Sequence, residues 1–192
     1  MPITFNGNGT VTGLAVGGLP DGTVDADTLA AGVGGKVLQV VQAHKTDAFS
    51  VGNSFAEVTG LSPSITVASG NKVLVQFTLC VSAAPNVYSA QLKLRRDSTD
   101  IAVSTAATGN IVNLTSFYLT SYDDYSDTTF TNFNNMFLDT PSAGSHTYKL
   151  MLQSGYNSYN VYVNRLYNMR NYNNYGCAVS HVTLMEVAAW VL

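Results

Sequence analysis

Charge is what this sequence has least of. Its 192 residues hold 9 Lys and Arg against 12 Asp and Glu, so charged residues make up 11%, under half of the roughly one quarter usual in globular domains. No basic run occurs and the net charge is −3, which leaves no electrostatic footprint for a nucleic-acid backbone or an anionic membrane. Solubility has to come from neutral polar residues, and Asn, Ser, Thr, Gly and Tyr are plentiful. Cysteine is scarce too. Cys80 and Cys177 fall in separate predicted strands; a disulfide between them is geometrically allowed, but two free buried thiols are expected in a chain that folds in a reducing cytosol. Long hydrophobic runs are missing, the longest being of strand length, and the opening MPITFNGNGT has neither a basic n-region nor an apolar h-region. No membrane insertion and no secretory signal are expected.

Catalytic signatures are absent as well. The chain contains no G-x-S-x-G, H-E-x-x-H, P-loop, C-x-x-C or EF-hand pattern, so nothing has the spacing that nucleophile, metal or phosphate chemistry requires. The expectation is a non-enzymatic protein with no catalytic residues, no cofactor and no metal. His44, His146 and His181 lie in three separate predicted strands and read as ordinary hydrogen-bonded strand residues. Asp123, Asp124 and Asp127 read as solvated loop charges, since their spacing matches no calcium loop.

What the sequence does have is period-two alternation. From Asn71 to Ala83, Val73, Val75, Phe77, Leu79 and Val81 occupy alternate positions, with Lys72, Gln76, Thr78 and Ser82 between them. That is a half-buried β-strand whose apolar face needs a second sheet. Similar stretches recur at regular spacing from Lys36 to Ala188, with turn residues between them and no convincing amphipathic helix. The fold class is therefore all-β, a sandwich whose strand count and loop lengths fit a jelly roll.

Residues 1–35 differ in kind. They are rich in Gly, Thr, Asp and Ala with single scattered apolar residues, and cannot enclose a core. They read as an extended N-terminal arm that orders against partner chains, with Phe5, Leu14, Leu19, Val24 and Leu29 as its contact residues, ahead of a head domain at 36–192. Three stretches of the head, Lys36 to His44, Ile111 to Thr120 and Cys177 to Ala188, are apolar in both registers. They are expected to be buried on both faces and to line a subunit interface through Leu38, Val40, Val112, Leu114, Val182, Leu184 and the terminal Trp190.

The tract from Tyr156 to Tyr175 is dominated by Tyr and Asn. Tyrosine combines a flat apolar face with a polar tip at low entropic cost, and asparagine adds adaptable hydrogen bonds, a composition suited to paratopes and sugar-holding surfaces. Tyr156, Tyr159, Tyr162, Arg165, Tyr167, Arg170, Tyr172 and Tyr175, with Tyr122 and Tyr125 from a neighbouring loop, are the candidate residues for binding a receptor or partner. The competing reading is a polar strand and loop packed on a neighbouring chain.

The ordered set GNGTVTGLAVGGLPDGTVDADTLAAG, GGKVLQVVQAHKTDAFSV, LSPSITVASGNKVLVQFTLCVS, LKLRRDSTDIAV, LDTPSAGSHTYKLMLQSG and SHVTLMEV resembles fibre and appendage proteins of tailed bacteriophages, particularly those of aquatic bacteria including cyanobacteria. The resemblance implies a homotrimeric jelly-roll head similar to the tumour-necrosis-factor and C1q heads. It further implies an arm bound to other virion proteins of capsid or tail, and a virion location after assembly in the host bacterial cytoplasm. The function implied is host attachment by a short fibre or spike, with a cell-surface glycan as a possible receptor. A capsid decoration or cement trimer is the alternative. From a different class, a carbohydrate-binding or esterase domain would need a pocket with convergent polar groups in one subunit.

Overall fold

The computed structural model describes residues 4–5, 11–12, 37–83, 89–106, 108–109, 111–119, 130–155, 159–167 and 176–189. Near the N-terminus, β1 (Thr4–Phe5) and β2 (Val11–Thr12) form a small antiparallel pair. Val37–Ala189 is a separate compact unit. Its strands are β3 (Val37–Lys45), β4 (Phe49–Val51), β5 (Ala56–Glu57), β6 (Ser64–Val67), β7 (Lys72–Ala83) and β8 (Ser89–Arg96). After these come β9 (Thr99–Ile101), β10 (Ser116–Leu119), β11 (Thr131–Asp139), β12 (Gly144–Ser154), β13 (Val161–Val163) and β14 (Ser180–Val187).

Two antiparallel sheets result. In the first, β7 pairs with β11 along one side and with β14 and then β13 along the other, while β3 and β4 flank β14 and β13. In the second, β12 lies between β8 on one side and β5 with β6 on the other, and β9 and β10 pair with the far side of β8. Counting each split strand as one lane in chain order, the first sheet reads one-eight-three-six and the second two-seven-four-five. That nesting of first lane beside last is a jelly roll. The first and last long strands pair over Val37–Lys45 and Ser180–Val187, with a register shift at Glu186/Val187.

The core follows from strand parity. Val73, Val75, Phe77, Leu79 and Val81 of β7 meet Leu92 and Leu94 of β8, Tyr148, Leu150 and Leu152 of β12, and Val182 and Leu184 of β14, all buried. Each such side chain contributes about 1.5–3 kcal/mol on leaving water. Residues between them point outward because successive strand side chains alternate faces.

Buried polar groups tie the sheets at defined points. Asp139 of β11 accepts hydrogen bonds from Tyr148 Oη of β12 at 2.7 Å and from the Arg96 guanidinium of β8 at 2.6 Å, which joins one sheet to the other. Burial first, and the Asp139 contact second, push the Tyr148 phenol far up. Glu186 of β14 accepts from Gln39 Nε2, Asn71 Nδ2 and the Ala68 backbone N–H. Burial works against its charge, but the three donors outweigh that and hold the carboxyl below its usual range. The turn they fix passes through Gly70 at φ 82°, where a side chain would be strained.

Asn164 makes a third tie. It takes φ 61°, a conformation that asparagine tolerates better than most residues. Its side chain donates to the carbonyls of Lys45 and Asp47 and accepts from Ser180 Oγ, while its backbone N–H reaches Cys80 O. One buried residue thus joins β3, β7, β13 and β14.

Two expectations change. Among the described residues of the Ile111 to Thr120 stretch, only Ser116–Leu119 is strand, because Ser104 N–H bonds Leu114 O and Thr115 Oγ1 accepts from Leu94 N–H ahead of the ladder. Both cysteines are free, but only Cys80 is buried; Cys177 is exposed, lying before β14 begins at Ser180. His146 agrees with its reading, a strand residue of β12 hydrogen-bonded to Asp97 and the Ser142 carbonyl. The loop with Asp123, Asp124 and Asp127 lies outside the described residues.

Parity sets a first prediction. Phe77→Ala lowers unfolding free energy by about 3–5 kcal/mol, whereas Gln76→Ala on the same strand changes it by less than about 0.5 kcal/mol, both read from urea denaturation. The second prediction concerns pH. Its hydrogen bond to Asp97 raises the His146 pKa above the ordinary imidazole value. That contribution is therefore fully present below about pH 6.5 and is lost as pH rises through the raised native value. The urea midpoint should fall across that window in the wild type, and the slope should flatten in His146→Gln.

Candidate functional site

The register of the first sheet aligns its outward residues into ranks. Val40 stands opposite Met185, Met185 opposite Leu74, and Leu74 opposite Leu138. The next rank is Gln42, Thr183, Gln76 and Met136, and the one after is His44, His181, Thr78 and Asn134. Towards the other end, Ser50 and Ser82 flank Tyr162. This outer face therefore runs from an apolar end to a tyrosine end. Leu38 at 52%, Val40 at 57%, Met136 at 63% and Leu138 at 47% exposure are unusually open for side chains of their size.

The face is also nearly uncharged. Among the described outward positions of β3, β7, β11 and β14, Lys72 is the only Lys, Arg, Asp or Glu. Outside the second sheet the opposite holds. Asp100 takes Lys93 at 2.9 Å and Arg95 at 2.7 Å, Lys149 reaches Glu57 at 3.2 Å, and Lys93 Nζ sits 4.6 Å from the centroid of the Phe55 ring. Five of the described charged residues, Glu57, Lys93, Arg95, Asp100 and Lys149, thus pair on this side of the sandwich.

The interface residues read from sequence separate on this frame. Leu38 and Val40 lie on the open face. Val182 and Leu184 are 1% and 0% exposed and belong to the core, because the phase of β14 turns His181, Thr183 and Met185 outward instead. Val112 and Leu114 lie in the irregular segment before β10, beside the second sheet, with Val112 exposed and Leu114 partly covered. Trp190 falls outside the described residues. So do Leu14, Leu19, Val24 and Leu29 of the arm; Phe5 belongs to β1. Sequence reading missed Leu74, Met136, Leu138 and Met185, whose outward phase depends on pairing.

Of the tyrosine tract, the structure brings Tyr162, Arg165 and Tyr167 together. The Tyr162 and Tyr167 ring centroids are 5.7 Å apart, and the Arg165 guanidinium lies 5.0 Å from the Tyr162 centroid. Arg165 Nε donates to Leu166 O and Nη2 to Tyr167 O, which presets the guanidinium. With Ala48, Phe49 and Ser50, Tyr162 and Arg165 line an open cleft of about 180 Å³. Tyr159 and Tyr167 are partly buried against the core, so packing claims part of each. Tyr122, Tyr125, Tyr156, Arg170, Tyr172 and Tyr175 lie outside the described residues. A second open cleft, of about 360 Å³, runs between β7 and β11 and is lined by Gln76, Phe77, Thr78, Asn134, Asn135 and Met136. Among the described residues, no group of three or more His, Cys, Asp or Glu could hold a metal ion.

No family model and no curated protein matches the chain. Among solved structures it is similar to one of infectious bursal disease virus, Gx strain, at 15% identity and TM-score 0.30 over 79% of this chain and 38% of that one. It is likewise similar to a crystal structure of the T13 particle of the same virus, at 14% identity and TM-score 0.32 over 79% of this chain and 36% of that one. The chain thus spans well under half the length of either. Superpositions of that size bear on neither fold nor function.

Proposed function

We propose that this chain is a non-enzymatic structural protein of a virion. In this reading it is a homotrimer, attached to other virion proteins through its N-terminal arm, with the jelly-roll head projecting as a short fibre or spike for host attachment. The observation that carries the reading is the neutral, apolar outer face of the β3–β14–β7–β11 sheet on a molecule whose second sheet carries paired charges on its outer side. An open face of that kind costs solubility in a lone copy and gains on the order of 1 kcal/mol per half-exposed Leu, Val or Met once covered. The threefold number and the virion setting rest on the resemblance in sequence to phage appendages. Tyr162 and Arg165, with Phe49 beside them, are the proposed contact for a surface glycan: an aromatic platform next to a preset guanidinium.

Sedimentation equilibrium of the full chain at micromolar concentration should give three times the chain mass of 20.4 kDa. Val40→Asp and Met136→Asp each place an unpaired carboxylate where the face is covered, and should shift that mass to a single chain with an unchanged β-sheet circular dichroism spectrum. A wild-type chain that stays monomeric would sink the reading. On particles, intact capsids that no longer adsorb when the protein is missing support a fibre, whereas capsids that fall apart support a cement trimer.

A further inference from the structure

The three histidines differ in what holds them. His146 has both ring nitrogens engaged, Nδ1 with Asp97 Oδ2 at 2.8 Å and Nε2 with Ser142 O at 2.9 Å. His44 of β3 and His181 of β14 stand directly opposite each other in the ladder. Among the described residues, neither of those two rings has a hydrogen-bond or ionic partner. Their polar neighbours, by contrast, are satisfied: Thr78 Oγ1 donates to Asn134 Oδ1 in the same rank, and Gln42 Nε2 donates to Thr183 Oγ1 in the next.

Residues directly opposite in an antiparallel pair have Cβ atoms about 4.5–5.5 Å apart. Two imidazoles on such a base can converge on one ion at metal–nitrogen distances of about 2.0–2.1 Å. No cation competes on the described part of this face: Lys45 turns inward to Asp47, and Lys72 stands six residues from Thr78 on β7, roughly 20 Å along the strand. No carboxylate faces outward in these ranks either, which favours an imidazole-preferring metal over calcium or magnesium. We propose that His44 and His181 form a two-imidazole chelate for a divalent transition metal of the zinc, nickel and copper group, its other coordination positions open to water. The site shares the outer face with the proposed subunit contact, but it is argued from the pairing register and not from that contact.

The test is titration of the full chain, first stripped with chelator, with zinc chloride by calorimetry, and with copper(II) under electron paramagnetic resonance. The wild type should take up one zinc ion per chain, and the copper spectrum should show coupling to two nitrogens. His44→Ala and His181→Ala should each abolish both signals while melting at the wild-type temperature without metal. His146→Gln should keep both signals. Wild-type stoichiometry persisting in either alanine variant, or no zinc uptake by the wild type up to millimolar metal, would overturn the site. Chain mass measured in the same metal-free samples reports separately on assembly.

Discussion

The fold depends on one strand pairing on both sides at once. β7 is hydrogen-bonded to β11 along one edge and to β14 and β13 along the other, so its pleat fixes the phase of the whole first sheet. Once Val73, Val75, Phe77, Leu79 and Val81 turn inward, Leu74, Gln76 and Thr78 have no choice but to turn out. Every strand registered on them follows. The apolar rank through Val40, Met185, Leu74 and Leu138 and the histidine rank through His44 and His181 are thus consequences of the core, though neither contributes to it.

Where alternation is clean, sequence and structure agree closely. β7 is an example, and so is β12, where Tyr148, Leu150 and Leu152 share the buried face. Where both registers are apolar, sequence reveals a strand but not its phase. In β14, Val182 and Leu184 compete with Met185 for the inward side, and pairing with β7 decides it. The Ile111 to Thr120 stretch misled for another reason: side-chain and loop hydrogen bonds from Thr115 and Ser104 replaced the ladder over its first half. His44 and His181 are 137 positions apart in a chain whose register no local pattern specifies, so their meeting could not be read. The tyrosine tract was legible as unusual composition. Its division into Tyr162 and Arg165 at an open cleft, with Tyr159 and Tyr167 against the core, needed the buried Asn164 tie that sets where β13 ends.

Charge scarcity takes on a clearer meaning in the sandwich. Ion pairs outside the second sheet are partly exposed, and such pairs contribute little to stability. Their value lies in hydration: Lys93, Arg95, Lys149, Glu57 and Asp100 keep that side wet and resist its association. With Lys72 the sole charged residue among the described outward positions of β3, β7, β11 and β14, that face lacks the usual deterrents to self-association. Arg165 sits at its tyrosine end, over the Tyr162 ring.

Where the apolar residues sit on that face constrains how copies of the chain would have to meet in the proposed assembly. A twofold contact needs one self-complementary patch, whereas a ring needs two different patches on each copy, one meeting the other on its neighbour. The first sheet carries exposed apolar side chains at both of its edges, Leu38 and Val40 on β3 and Met136 and Leu138 on β11, three strand spacings apart. Those spacings amount to about 14 Å. Face-to-face dimerisation would have to cover the polar rank of Gln42, Thr183 and Gln76 along with them. A ring can set the β3 edge of one copy against the β11 edge of the next and leave Thr183 and Gln76 in the middle of the sheet less deeply covered. Met185 and Leu74 link those edges into one apolar rank across the sheet, so a neighbour that covers either edge is drawn toward its middle as well.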